Sequence, residues 1–533
     1  MLRSSGLRPC GSLAFVCLLA GLVTALVPGS ARAQVPPSEP PPDGAVASGT
    51  GPEPGAAAPP ASPAPAAATG SSEAVEPTSG AGLFEQSTTA SAAEPRAGAS
   101  EPPQRVELNG YVRSDLFAGK GPSPHSWQMN AAYGELALRL RTPKESYGDA
   151  FAETRLKYGL QGDATELNVE LREAYVNTYV GALDLRLGHQ IIVWGRADAF
   201  NPTNNLTPLD LRVRSPLEDD RRLANLGARA FLNLAPFRLE GVWLPLYRAT
   251  QVPSVTSPSY VDFNYTNYPK PELENGTAAA RLHLERPDFE TSVSYLYGYA
   301  PLPGLGLNGI TEGSQVGGSV VVEPRPIRIE RTAYNQHVVG FDFSTALGDA
   351  LALRGEAAYR FPLHYKRRVY APNPDLQYVL GVDRSFGSVN VIAQYMGRVV
   401  FDYRRRESPD FADDPAALGT GVPAAAIQQA NPLIESELRV RNQMLFSQLH
   451  QVQHLATARV EWLTLHDTLS LSALAFLNFS TQEWLLFPKL AYQITDNLST
   501  TVGAEIFNGP TGTLFGLIDR QLSAGYAELR CGF

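Results

Sequence analysis

The chain has 533 residues, enough for one large domain or several small ones, and its formal charge of −9 excludes the cationic surface of a general nucleic-acid binder. Only 18% of residues are charged, yet no run of about 20 apolar residues lies beyond the N-terminus, which argues against a helical membrane protein. Cys10 and Cys17 fall in the first 33 residues and leave Cys531 alone after them, so a disulfide framework is excluded.

Residues 1–33 read as a secretory signal peptide. Arg3 and Arg8 supply the basic start, Leu13 to Val27 the apolar run, and Ala31-Arg32-Ala33 the small residues ahead of cleavage before Gln34. No cysteine follows for lipid attachment. Residues 34–103 are rich in Pro, Ala, Gly and Ser, with only Leu83 and Phe84 as large apolar side chains. Such a segment cannot bury enough surface to offset its ordering entropy, so it is expected to be a disordered periplasmic linker. A flexible chain of that length spans on the order of 50 Å. It is read as a spacer, with a tether to the cell wall or a docking arm for a periplasmic transporter as the alternatives.

From residue 104 to 533 the texture is uniform: strand-like runs separated by alternately short and long connections. RVELNGYVRSDLF and AAYGELALRLR open the series, and RQLSAGYAELRCGF closes it. Between them, tight hairpins are signalled at Ala235-Pro236, Arg286-Pro287-Asp288, Leu347-Gly348-Asp349, Gly387-Ser388, His466-Asp467-Thr468 and Thr495-Asp496-Asn497. The count is about 18 runs, with 16 as the alternative. If the first starts inside, every tight turn falls on one side and nearly every long loop on the other. That parity predicts an all-β fold, a transmembrane antiparallel β-barrel.

The stretch from Leu183 to Arg222 concentrates the signal. Leu183, Leu185, Leu187, Ile191 and Val193 alternate with Asp184, Arg186, Gly188, Gln190 and Trp194, which predicts a wall strand through Trp194. In ALALRGEAAYRF, Arg354, Glu356 and Arg360 share one face, and Arg459 and Glu461 share a face in TARVEWL; these five are the expected lumen wall. A soluble sandwich would also alternate, but with its charges on an open surface. Aromatic strand ends such as Tyr359, Phe361, Phe479 and Trp484 favour the membrane reading. At the C-terminus, Gly525, Ala527, Leu529, Cys531 and Phe533 form an outward set, and Phe533 resembles the terminal assembly signal of outer-membrane proteins.

The segment LREAYVNTYVGALDLRLGHQIIVWGRADAFNPTNNLTPLD, with VWLPLY at Val242–Tyr247, resembles porin-like outer-membrane proteins of Gram-negative bacteria. These include an uncharacterised barrel family known only as a domain of unknown function. The resemblance implies an outer-membrane barrel and no particular substrate. It implies outer-membrane lipids, lipopolysaccharide and the outer-membrane assembly machinery as surroundings.

The candidate site follows Trp194. Asn201-Pro202 and Thr207-Pro208 restrict the backbone, and Asp198 could accept from backbone amides or from Arg196. Arg212, Arg214, Arg221 and Arg222 stand against Glu218, Asp219 and Asp220 within one short span. Folded into the lumen, such charges would set a transverse field and a constriction; on the rim they would be a solvated ion-pair set. Both readings stay open from sequence. Arg404, Arg405 and Arg406 would contact lipopolysaccharide phosphates or be screened surface charge. His450 and His454 have a helical i,i+4 spacing but no further ligands, so no metal or cofactor is expected. No catalytic constellation is evident, so no enzyme is expected.

The function expected is a channel for passive diffusion of small solutes. The alternatives are a barrel that moves a hydrophobic or lipidic molecule with a periplasmic transporter, and a structural or adhesive barrel.

Overall fold

The computed structural model describes residues 106–533 apart from 122–125, 163, 199, 253–260, 311–313, 317–318, 322–326, 349–350 and 407–423. The expected signal peptide and linker lie outside these residues. Among the described residues no helix is long and apolar enough to cross a membrane.

Eighteen antiparallel strands form one sheet. In chain order they are β1 (Glu107–Lys120), β2 (Trp127–Arg141), β3 (Gly148–Gln161), β4 (Ala164–Val180), β5 (Leu183–Gln190), β6 (Asn225–Leu234), β7 (Phe237–Leu244), β8 (Thr277–Glu285) and β9 (Phe289–Tyr299). The series continues with β10 (Asn335–Leu347), β11 (Leu351–Pro362), β12 (Asp375–Phe386), β13 (Val389–Val400), β14 (Val452–Thr464), β15 (Leu469–Asn478), β16 (Glu483–Thr495), β17 (Leu498–Asn508) and β18 (Ala524–Gly532). Each pairs with its neighbour in the chain, and β1 closes on β18 from Tyr111↔Gly532 to Gly119↔Ala524. The sheet therefore has no open edge. Eighteen, not 16, is the strand count.

Side-chain alternation sets the inside and the outside. Along β1, Leu108, Val112 and Leu116 point out, 65, 50 and 43% exposed, while Arg113 and Asp115 between them are 1 and 2% exposed. The same inversion recurs on the far side of the ring, where Val339 and Phe341 of β10 are exposed and Asp342 is buried. A soluble domain does the reverse. An apolar outer band around a charged interior is the wall of a barrel that faces lipid. Outward aromatics border that band: Tyr359, Phe361, Phe479 and Trp484 near one end, Tyr147, Phe237, Phe289 and Phe386 near the other, all exposed.

The expected parity holds for the long loops and for the six signalled hairpins, but not for every tight turn. At one end, the turn end, eight connections are no longer than residues 142–147, and Phe533 lies there too. The long connections 191–224, 245–276, 300–334 and 401–451 lie at the loop end, alongside tight ones at 162–163 and 479–482.

Two expected strand limits are corrected. β5 stops at Gln190 and does not run through Trp194. The Ile191 amide donates to Glu173 Oε1 at 2.7 Å, so a side chain takes the place of the next ladder bond. Ile192, Trp194 and Leu206 then pack inside with Val242, Leu296 and Val338. The last strand begins at Ala524, not Arg520, because Leu514–Leu522 is a helix, α2, whose N-cap Thr513 accepts from the Gly516 amide.

The loop end carries further structure. The connection 401–451 holds helix α1 (Ala424–Leu445). A three-stranded sheet of Val261–Asn267, Gly304–Ile310 and Ile327–Thr332 packs against it through Val261, Phe263, Leu305, Ile329, Ile434 and Leu438. Asn442 fastens the two: it accepts from Leu305 N at 2.8 Å and donates to the carbonyls of Leu305 and Val369 at 2.8 and 2.9 Å. At the end of α1, Arg398 of β13 donates to the Phe446 carbonyl at 2.6 Å and to that of Ser447, satisfying carbonyls the helix cannot bond itself.

Candidate functional site: a segment across the lumen

Residues 191–224 do not fold outward. The first half bonds to inward side chains of β7, β9, β10 and β11, the second half to β1, β3 and β17. In a closed ring of eighteen strands, β10 stands half-way round from β1. The segment therefore crosses the lumen.

Trp194 anchors its start. The side chain is 1% exposed, and its Nε1 donates to Glu240 Oε1 of β7 at 2.9 Å. The same carboxylate takes Arg229 of β6 at 2.7 Å and lies 3.2 Å from His283 Nε2 of β8. An indole N–H can be buried at low cost only with such a partner.

Gly195 follows with φ +113°, and a Cβ there would come within 2.6 Å of Glu356 Oε1. Only glycine allows that approach. The amides of Arg196 and Ala197 both donate to Glu356 Oε1, Ala197 at 2.7 Å, and the Thr203 hydroxyl donates to Oε2 at 3.1 Å. One carboxylate of β11 thus pins the turn from Gly195 to Thr203. The Arg196 guanidinium reaches Asp342 of β10 at 2.7 Å and Glu290 of β9.

Of the two partners the sequence offered Asp198, backbone amides or Arg196, the second is taken away: Arg196 pairs with the wall carboxylates Asp342 and Glu290. Asp198 lies 3.6 Å from Arg354, which also holds Asp383 at 3.0 Å. Burial pushes the Asp198 carboxyl up despite Arg354 and Arg459 beside it. The Asn201 carbonyl accepts from the Asn204 amide at 3.1 Å and tightens the turn.

The second half carries the charges. Asp220 pairs with Arg113 of β1 at 2.7 Å and Arg155 of β3 at 2.6 Å. Burial works to raise its carboxyl, but the two guanidiniums hold it well below the usual range. Arg214 and Arg221 share Glu505 of β17 at 2.9 and 2.7 Å. Arg212 folds back on Asp210 at 2.7 Å, and Arg222 pairs with Asp219 at 3.1 Å. Glu218 makes no ion pair among the described residues, and burial pushes its carboxyl up.

The sequence set these arginines against Glu218, Asp219 and Asp220 as one internal group. Among the described residues, Arg222–Asp219 is such a pair. Arg214, Arg221 and Asp220 take partners from the wall, because a charge brought out of bulk water must find an opposite charge within reach.

The five expected wall residues all face inward. Besides Arg354 and Glu356, Arg360 pairs with Asp375 at 2.6 Å, and Glu461 accepts from Ser470 at 2.8 Å two residues from Arg459. Sequence reading missed the partners that matter most: Arg113, Arg155, Glu240, Asp342 and Glu505. Each is a charge at an inward position of an alternating strand, which is the signal that would have marked them.

A family model described as "Protein of unknown function (DUF1302)" matches residues 141–371, which include the whole segment that carried the sequence resemblance. Among solved structures, the chain is similar to Acinetobacter baumannii OccAB3, at 10% identity and TM-score 0.46, over 80% of this chain and 99% of that one. It is similar to Pseudomonas aeruginosa OccK8 (OprE), at 11% identity and TM-score 0.45, over 80% and 98%. It is also similar to Pseudomonas aeruginosa OpdK, solved with vanillate, at 9% identity and TM-score 0.45, over 80% and 98%. No curated protein matches the chain.

Proposed function

We propose that the protein is a porin-like outer-membrane channel through which small hydrophilic solutes diffuse passively. The observation that carries this reading is the charged waist: residues 191–224 cross a lumen whose walls bear Arg113, Arg155, Asp342, Glu356 and Glu505, inside a belt of lipid-facing apolar residues. Opposed charges in a narrow, partly desolvated passage act strongly on ions and select by charge and size. The waist is the proposed constriction, formed by Trp194, Arg196, Asp198, Asn201, Arg212, Arg214, Glu218, Asp219, Arg221 and Arg222.

Residues 1–33 are proposed to act as a signal peptide for export, and Phe533 in the last strand as a contact for the outer-membrane assembly machinery. Exposed Arg404, Arg405 and Arg406 at the loop end suit lipopolysaccharide phosphates. The linker 34–103 is proposed to lie in the periplasm, where it can meet the cell wall or a transporter. One feature favours the second reading, passage of a hydrophobic or lipidic molecule: an apolar cavity under α1.

Proteoliposomes test the proposal. Folded protein should make them permeable to small sugars and amino acids but not to large oligosaccharides, as read by osmotic swelling. Vesicles that hold folded protein and stay impermeable to all of them would contradict it.

A further inference from the structure

Between α1, α2 and the second half of the crossing segment lies a cavity of about 280 Å³. That is near the lower end of the range of small-molecule sites, about 300–1,000 Å³. Its lining is mostly apolar, with Leu302, Leu305, Leu445, Phe507, Leu517 and Ile518 drawn from four separate stretches of chain. Four guanidiniums, those of Arg214, Arg221, Arg331 and Arg441, share this surface with one carboxylate, Glu505.

Three of the four guanidiniums are matched. Glu505 takes Arg214 and Arg221, and Glu437 takes Arg441 one helical turn away. Arg331 is different. It is 8% exposed, its Nε has no hydrogen-bond partner, and no carboxylate among the described residues lies within ion-pair distance of it. Burial pushes its guanidinium down, and Arg212 adds to that push against the opposing influence of Tyr268. A buried cation short of counter-charge is costly, and an anion brought to it removes that cost. An apolar hollow with such a cation on its wall is the complement of a molecule with an apolar body and one anionic head.

We propose that this cavity binds a monoanionic amphiphile of medium chain length, its apolar body against Leu305, Leu445, Phe507 and Leu517 and its head on Arg331. The inference rests on the proposal of passage through the barrel in one respect: the cavity lies between the C-terminal end of α1 and the crossing segment, so its ligand is taken to be a molecule on its way through.

The test is calorimetric binding of octanoate to the full chain in lipid nanodiscs, with empty nanodiscs subtracted. Octan-1-ol supplies the same body without the charge, and acetate the same head without the body. Saturable octanoate binding, with both comparison ligands at least about tenfold weaker, is the expected result. Arg331→Gln should weaken octanoate by about tenfold or more, while Arg405→Gln, on the exposed loop, should leave it unchanged. Octanol binding as well as octanoate, or Arg331→Gln binding like wild type, overturns the placement of the head. Absence of saturable octanoate binding overturns the site. If Arg331→Gln does not fold, the three ligands on wild type decide alone. Because no current is read, a protein that conducts without binding octanoate sinks this inference and leaves the channel, whereas one that binds without conducting keeps the site and loses the route.

Discussion

Glu356 shows how a single side chain sets the path of the crossing segment. It accepts from the amides of Arg196 and Ala197 and from the Thr203 hydroxyl. Glu356→Ala leaves these donors buried without a partner, at about 1–3 kcal/mol each. Its thermal midpoint should fall, and Glu356→Gln, which keeps an acceptor oxygen, should recover part of the loss; calorimetric melts of the two variants check this. Asp220→Asn makes a sharper case. It removes the carboxylate shared by Arg113 and Arg155, and breaking a buried pair in this way costs about 3–5 kcal/mol. The expected outcome is an earlier melt together with reversal potentials shifted toward anions. At this scale the sequence was half legible. The candidate site after Trp194, with Arg196 and Asp198 in it, was marked, and the structure adds a physical reason for Gly195 between them. Their partners lie at least 46 positions away, and no local pattern links Trp194 to Glu240 or Arg221 to Glu505.

Strands were the most legible elements, because a wall between lipid and water enforces a strict period of two. The pattern failed where chain left the wall. Ile191 to Trp194 continue the alternation of β5, but Ile192 and Trp194 serve an interior cluster. Residues 509–513 separate α2 from the hairpin strand before it, and α2 is only nine residues long. α1 contains Pro432, which reads locally as a helix breaker. The last strand was read with its faces correct, and its end makes a prediction. Phe533 exchanges two backbone hydrogen bonds with Gly110, at 2.9 and 3.0 Å, across the seam that closes the ring. Deleting Phe533 should lower the yield of heat-modifiable, folded protein in the outer membrane, and equal yields would count against a role in assembly. The crossing segment makes another. Arg214→Ser with Arg221→Ser frees Glu505 from both partners, so the lumen gains net negative charge. Reversal potentials across a salt gradient should shift toward cations, and the shift should shrink at 1 M salt, where the Debye length is about 3 Å.

The whole molecule is an inversion of a soluble protein: apolar outside, charged within, with a closed ring of strands that leaves no edge. That much was readable from strand parity and from the faces of a few runs, because those features report the two solvents directly. Whether residues 195–222 lay in the lumen or on the rim was not readable, since a span of mixed charge is equally at home in water and between charged walls. The geometry places it inside, where it is proposed to act as the constriction. The most direct measurement is single-channel conductance in planar bilayers, for the wild-type protein and for a variant in which residues 197–221 are replaced by a short Gly/Ser link. Discrete steps are expected for wild type, and severalfold larger, less selective steps for the shortened protein. Steps of equal size and selectivity in both, with both folded, would contradict that role.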